Sequence, residues 1–225
     1  MRPKLLKVQS ANQWFQRAEV LKRNRKKRSQ HGQFLVEGVH SINALVAHDA
    51  WTIDALLYTP ERPLSNWART ILTESRARHH LELSAPLLDP LSDKEDPSEL
   101  LAIVEIPADD PTRIPVRPDA LIALIDRPQS PGNLGTLIRS CEAFGVHGLV
   151  VTGHGCDLYD PQTLRAATGA LFALPTTHIF SQADLDSWLA SLRQRLSGFQ
   201  LVGTSAHGEI VLSNCPFTKP TLLVI

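Results

Sequence analysis

Five near-continuous apolar runs, "ALIALID" (120–126), "GLVVTG" (148–153), "TTHIF" (176–180), "QLVGTS" (200–205) and "PTLLVI" (220–225), punctuate the second half of this 225-residue chain. A strand with one face in water alternates polar and apolar residues, whereas a strand covered on both faces does not. The segments between the runs have helical character: one from about Leu134 to Phe144, one near Gln162 to Leu171, and one that Ser181 and Asp184 would cap, ending before Gly198. Strands of this kind alternating with helices predict a parallel α/β sheet sheathed by helices. In the first helix Leu134, Leu137, Ile138, Cys141 and Phe144 share one face, which is assigned to the core.

Upstream, "PADDPTRIPVRP" (107–118) places four prolines in twelve positions, which excludes helix and central strand and predicts an extended connector. It divides the chain into residues 1–106, a linker at 107–118, and residues 119–225. The first part reads as a small α/β unit. A basic helical segment near 12–27 is followed by a strand at Phe34 to Val36 and a helix carrying Ile42, Leu45 and Val46. A strand "IDALLYTP", a helix around Trp67 to Arg78 and a strand "LAIVEIP" complete it.

The formal net charge is zero, yet residues 1–31 hold ten Lys or Arg against the single acid Glu19. Such asymmetry predicts a polyanion contact by one part of the molecule, centred on Arg23, Arg25, Lys26, Lys27 and Arg28. The alternative is a solvated basic terminus. Cys141, Cys156 and Cys215 form no C-x-x-C pair, so neither a disulfide framework nor a zinc site is expected. With no signal-peptide-like or membrane-spanning apolar run, a cytoplasmic location without membrane contact is expected. His147, His154, Cys156 and Asp157 gather near the second strand of the sheet, but loop composition explains them and no metal is expected.

The loop that leaves "ALIALID" is the natural place for chemistry, because open parallel sheets bind ligands outside the carboxyl ends of their strands. In "DRPQSPGNLGTLIRSCEAFG" (126–145), Gly132 and Gly135 would let a ligand approach the backbone. Asn133 can be read as a helix cap or as a functional amide, and Arg139, off the apolar face, as a solvated or a functional cation. The loop lacks the Gly-Lys-Ser/Thr of nucleotide hydrolases and the G-x-G-x-x-G of dinucleotide folds.

The segment "DRPQSPGNLGTLIRSCEAFGVHGLVV" resembles the first motif of the SpoU family of RNA ribose 2′-O-methyltransferases, in the SPOUT superfamily. Asn133, Arg139 and Ala143 to Gly145 match it. "RAATGALFALP" (165–175) and "LVGTSA" (201–206) resemble later family segments, and "RSQHGQFLVEG" (28–38) resembles the start of the family's N-terminal, ribosomal-protein-like α/β RNA-binding domain. The resemblance implies S-adenosyl-L-methionine as methyl donor, rRNA or tRNA as partner, and a homodimer formed through the methyltransferase domain. It further implies Asn133 and Arg139 as catalytic residues, with Gly203, Thr204, Ser205 and Ala206 at the cofactor.

Family members continue with a Gly-Asn-Glu-Gly type motif, a Ser-Leu-Asn segment and a knotted helix, none of which occurs before Ile225. The expectation is therefore a SPOUT domain without its knot-forming end, inactive by itself, in either a shortened piece of an enzyme or a non-catalytic RNA-binding relative. Glu37 is expected to make structural hydrogen bonds. Trp14, Trp51, Trp67 and Trp188 are expected to pack rather than to stack on bases.

Overall fold

In the computed structural model, residues 3–208 and 210–225 are described. The first unit runs β1 (Lys4–Val8), α1 (Gln13–Arg23), α2 (Arg25–His31), β2 (Gln33–Glu37), α3 (Val39–Ala47), β3 (Ile53–Tyr58), α4 (Asn66–Glu74), β4 (His79–Leu83), α5 (Ala85–Leu88) and β5 (Leu101–Glu105). The second runs β6 (Leu121–Asp126), α6 (Pro131–Ala143), β7 (Gly148–Thr152), α7 (Pro161–Ala167), α8 (Ala170–Ala173), β8 (Thr176–Ile179), α9 (Gln182–Arg195), β9 (Gln200–Gly203) and β10 (Thr221–Val224).

The second sheet has the order β8-β7-β6-β10-β9 and is parallel throughout, as the unbroken apolar runs require. The first sheet, β1-β4-β3-β5-β2, is mixed: β1, β4 and β3 are parallel, and β5 pairs antiparallel with both β3 and β2. Its strands β1 and β4 escape the sequence reading. "KLLKV" and "HHLEL" are short and carry charged or His side chains, and α4 stops at Glu74, four residues before the helix expected there.

Two helices expected to be continuous are broken, each for a local reason. The basic segment splits at Asn24, which sits in an extended conformation and accepts from the N–H of Lys27, so it ends α1 and caps α2. The helix expected over 162–171 splits at Thr168 and Gly169, both left-handed (φ 49° and 96°). A Cβ on Gly169 would stand 2.9 Å from the His40 carbonyl and 3.0 Å from the Ala44 Cβ. The break is what lets α3 of the first unit lie against α8. Ser181 caps α9 as expected, accepting from the N–H of Asp184 while donating to its carboxylate.

One apolar cluster runs through both units, joining Phe34, Val36, Ile42 and Leu45 to Leu134, Ile138, Leu171 and Phe172. Trp51 closes the seam by donating its indole N–H to the Phe172 carbonyl (2.9 Å) and packing edge-on to that ring. Trp14, Trp67 and Trp188 also pack against core clusters. The proline-rich connector is bolted down as well: Ile114 is buried against Gly148 at the base of β7. Phe144, expected in the core, is instead 83% exposed, because α6 ends one residue earlier and the chain turns at Gly145.

Candidate active site and nucleic-acid interface

From β6 the chain builds outward to β7 and β8 on one side, then crosses to β9 and β10 on the other. The carboxyl ends of β6 and β10 flank this reversal, the position where parallel sheets open a crevice. At the end of β6 the Asp126 carboxylate accepts from the Arg127 guanidinium (2.9 and 2.7 Å) and from the Thr152 hydroxyl (2.8 Å). The Arg127 hydrogen bonds, then the Thr152 one, hold Asp126 below the usual carboxylate range. Arg127 takes a left-handed conformation (φ 48°), strained for a residue with a side chain, and so turns the chain sharply toward α6. The loop is pinned by the Cys156 N–H, which donates to the Pro128 carbonyl (2.7 Å).

The cap of α6 is Ser130, whose hydroxyl accepts from the N–H of Asn133, and Pro131 occupies the first helical position. Asn133 therefore lies inside the first turn and is not the cap. Its carboxamide is exposed and makes no hydrogen bond among the described residues. Gly135 does not face a ligand as expected. It faces α7, where a Cβ would stand 2.4 Å from the Thr163 carbonyl, so its role is close helix packing. Arg139 is exposed and without an ion pair among the described residues. Helix geometry sets it about 9 Å along the axis from Asn133 and about 120° around it. The two side chains thus frame a surface instead of meeting at a point.

Gly203 ends β9, and Thr204, Ser205 and Ala206 follow it on the same carboxyl edge, beside the end of β10. Thr204 donates its N–H and hydroxyl to the Val224 carbonyl (2.9 and 3.0 Å), and the Ser205 hydroxyl accepts from the N–H of His207. These two side chains hold the turn together. A Cβ at Gly203 would meet nothing within 4 Å, so its backbone is open to a ligand.

The basic run divides. Arg23, Arg25, Lys26 and Lys27 are exposed, and Arg25 donates to the Gly155 carbonyl (2.6 Å) in the loop after β7. Arg28 corrects the expectation of a phosphate contact. It is only 2% exposed, and its guanidinium donates to Asp157 (2.7 Å), Asp160 (3.1 Å) and the Leu21 carbonyl (2.9 Å). It is a clasp between the units, and its burial keeps it from RNA phosphates. Asp160 also caps α7 by accepting from the N–H of Gln162. Arg28 lies 129 residues from Asp157 in the chain, so nothing local in the sequence signals the pairing. The clasp sets the exposed cations of α1 and α2 next to the carboxyl edge of the second sheet. Glu37 has the structural role expected: it accepts from the hydroxyls of Ser92 and Ser98 and from the N–H of Asp93.

Comparison with known proteins places this geometry. Residues 120–225 match the SpoU rRNA Methylase family, and residues 12–102 match the SpoU L30e-like domain. A 23S rRNA (uridine(2479)-2′-O)-methyltransferase of Streptomyces viridochromogenes is 44% identical over 99% of this chain and 77% of its own length. The SpoU methyltransferase AviRb of that organism, solved in complex with the cofactor AdoMet, superposes with a TM-score of 0.89 at 45% identity, covering 95% of this chain and 80% of its own. The 23S rRNA (guanosine(2553)-2′-O)-methyltransferase RlmP of Bacillus subtilis is 24% identical over 89% of this chain and 74% of its own. With a free Asn and Arg on the helix that leaves the switch-point strand, and both of its units matched, the chain belongs to the SpoU family of RNA methylases.

Proposed function

We propose that the protein transfers a methyl group from S-adenosyl-L-methionine to the 2′-hydroxyl of a ribose in rRNA. The observation that carries this is similarity to a 23S rRNA 2′-O-methyltransferase along nearly the whole chain, RNA-binding unit and catalytic unit alike. Bound S-adenosylmethionine supplies an electrophilic sulfonium methyl, with Gly203 to Ala206 forming part of its wall. As the ribose oxygen bonds to that carbon and the carbon–sulfur bond breaks, the 2′-proton must leave and negative charge gathers on the oxygen. Arg139 is not the proton acceptor, because a guanidinium carries donors and no acceptor. Its part is to orient the hydroxyl and stabilise the developing alkoxide, while an RNA phosphate or water takes the proton. Asn133, with a free donor and a free acceptor, positions the reacting ribose.

The test is transfer of labelled methyl from S-adenosylmethionine to unmodified large-subunit rRNA by the intact protein. Label recovered in an alkali-resistant dinucleotide marks a 2′-O-methyl ribose; label on a base, or none, rejects the reading.

RNA enters along the exposed cations. Arg25, Lys26 and Lys27 crowd the first turn of α2, where they oppose the helix dipole, a local cost that concentrates positive potential. Replacing Arg23, Lys26 and Lys27 together by Ala is expected to make the log–log dependence of RNA affinity on salt shallower by roughly 2 to 3. An unchanged slope would remove these residues from the interface.

The enzyme acts as a homodimer through the second unit, in the cytoplasm, where rRNA and reduced thiols coexist. The support for dimerisation is Phe144, exposed at the end of α6 beside the family motif. Sedimentation of the intact protein should give twice the monomer mass, and a monomer would contradict the assignment.

A further inference from the structure

A cleft of about 540 Å³ opens at the seam between the two units, and neither Asn133 nor Gly203 lines it. Its walls are α3 and the segment around Asp93 and Lys94 on one side and α7 on the other. Leu35, Leu91 and Leu164 give it an apolar floor, which strengthens electrostatic contacts made above it.

The N-terminus of α3 points into this cleft without a cap. Gly38 stands at the capping position and supplies no side chain, and the helix's own bonding begins with the Ile42 N–H donating to the Gly38 carbonyl. The N–H groups of Val39, His40 and Ser41 consequently have no acceptor among the described residues. A helix start in this state attracts anions through both its free donors and its dipole.

Independently, the side chain of Ser41 faces the cleft. Ser41 is 5% exposed and lines the cleft, yet its hydroxyl makes no hydrogen bond among the described residues. The hydroxyl is reached from the cleft and so is open to a ligand there.

The charges around the cleft favour an anion. Three cations, Lys22, Lys94 and Arg165, stand against two acids in the lining: Asp93 is paired with Lys22 at 2.8 Å, and Glu37 accepts only from the neutral donors Ser92, Ser98 and the Asp93 N–H. Lys94 stands at the helix start and Arg165 on the opposite wall. The Lys94 ammonium lies 4.0 Å from where a Cβ on Gly38 would be, and Arg165, 61% exposed at its side chain, has only a loose 3.6 Å pairing with Asp93.

We propose that this cleft is an oxyanion site that seats one backbone phosphate of the substrate RNA, held by the free N–H groups of α3, the Ser41 hydroxyl, Lys94 and Arg165. The inference rests on the RNA reading given above. An RNA phosphate fits better than a free one because the donors come from both units: α3 and Lys94 from the first, Arg165 from the second. A strand gripped there is registered against both at once, which is what phosphate contacts do in nucleic-acid complexes. Lys22, on the cleft wall, adjoins exposed Arg23, so the site continues the basic track.

The experiment measures binding of an in vitro transcript of large-subunit rRNA across a salt series, for the wild type, for Lys94→Ala/Arg165→Ala and for Ser41→Ala. In parallel, the amide resonances of Val39, His40 and Ser41 are followed during titration with inorganic phosphate. The double variant changes only exposed side chains and should fold normally. It is expected to bind roughly 10-fold or more weakly, with a salt slope shallower by about 1 to 2. Ser41→Ala, which removes a neutral donor, should weaken binding by a few-fold and keep the slope. Inorganic phosphate should shift the three amides in the wild type and much less in the double variant. Unchanged affinity and slope in the double variant, with the wild type binding RNA, would overturn the site and leave the RNA reading standing. Amide shifts with phosphate but no change in RNA binding would show a free-phosphate site and overturn the assignment to RNA. A wild type that does not bind the transcript would overturn the RNA reading and this inference with it.

Discussion

Arg28→Ala is expected to lower stability by about 3 kcal/mol, at the low end of the range for breaking a buried ion pair. The guanidinium is almost wholly buried and answers two carboxylates and a backbone carbonyl at once. Removing it leaves Asp157, 13% exposed at its side chain, charged and unpaired at the seam, whereas Asp160, at 31%, can recover some hydration. For a chain of this length the change corresponds to a fall in melting temperature of roughly 6–12 °C. Arg28→Met in the background Asp157→Leu should recover much of the loss, since a buried pair can often be replaced by apolar groups without penalty. Calorimetric unfolding of the three proteins decides the matter. A shift below about 2 °C for Arg28→Ala would show that the clasp does not hold the units together. The same substitution should leave the salt slope of RNA binding unchanged, in contrast to the substitutions on α1 and α2.

The clasp also shows where sequence reasoning stops. Arg28 sits in a run of cations that looks uniform along the chain. Only the fold singles it out, by bringing it to two aspartates more than a hundred positions away. The second sheet was legible because burial on both faces leaves an unmistakable signature in "ALIALID" and "GLVVTG". Strands β1 and β4 carry no such signature. They belong to a mixed sheet in which β1 is an edge, and "KLLKV" reads equally well as part of a basic tail. The break at Thr168 and Gly169 depends on the approach of α3, a tertiary contact that local propensity does not encode.

At the candidate site the motif itself was visible, while its geometry was not. Ser130 followed by Pro131 is a helix-start signal of the ordinary kind, and reading it would have placed Asn133 within the first turn. Once Ser130 is the cap, Asn133 loses its bland explanation: an exposed amide in the first turn at a switch-point loop has no structural task among the described residues. Arg139 loses its own for a similar reason, because no acid among the described residues engages it.

That argument makes substitution of Arg139 the second large effect. The side chain is exposed and unpaired, so Arg139→Ala should change folding stability by no more than about 0.5 kcal/mol. If the guanidinium stabilises the ribose alkoxide, methyl transfer by the intact protein should fall by roughly 10²-fold or more, as it does when a donor to a developing oxyanion is removed. Binding of S-adenosylmethionine should hardly change, since Arg139 addresses the ribose. Arg139→Lys keeps the charge but not the planar fork of donors, and should recover only part of the rate. The direct measurement is the single-turnover rate of methyl transfer to rRNA by wild type and Arg139→Ala, with melting temperature and cofactor affinity determined on the same samples. The predicted result is a loss of about two orders of magnitude in rate with both controls unmoved; an unchanged rate in Arg139→Ala would contradict the catalytic assignment.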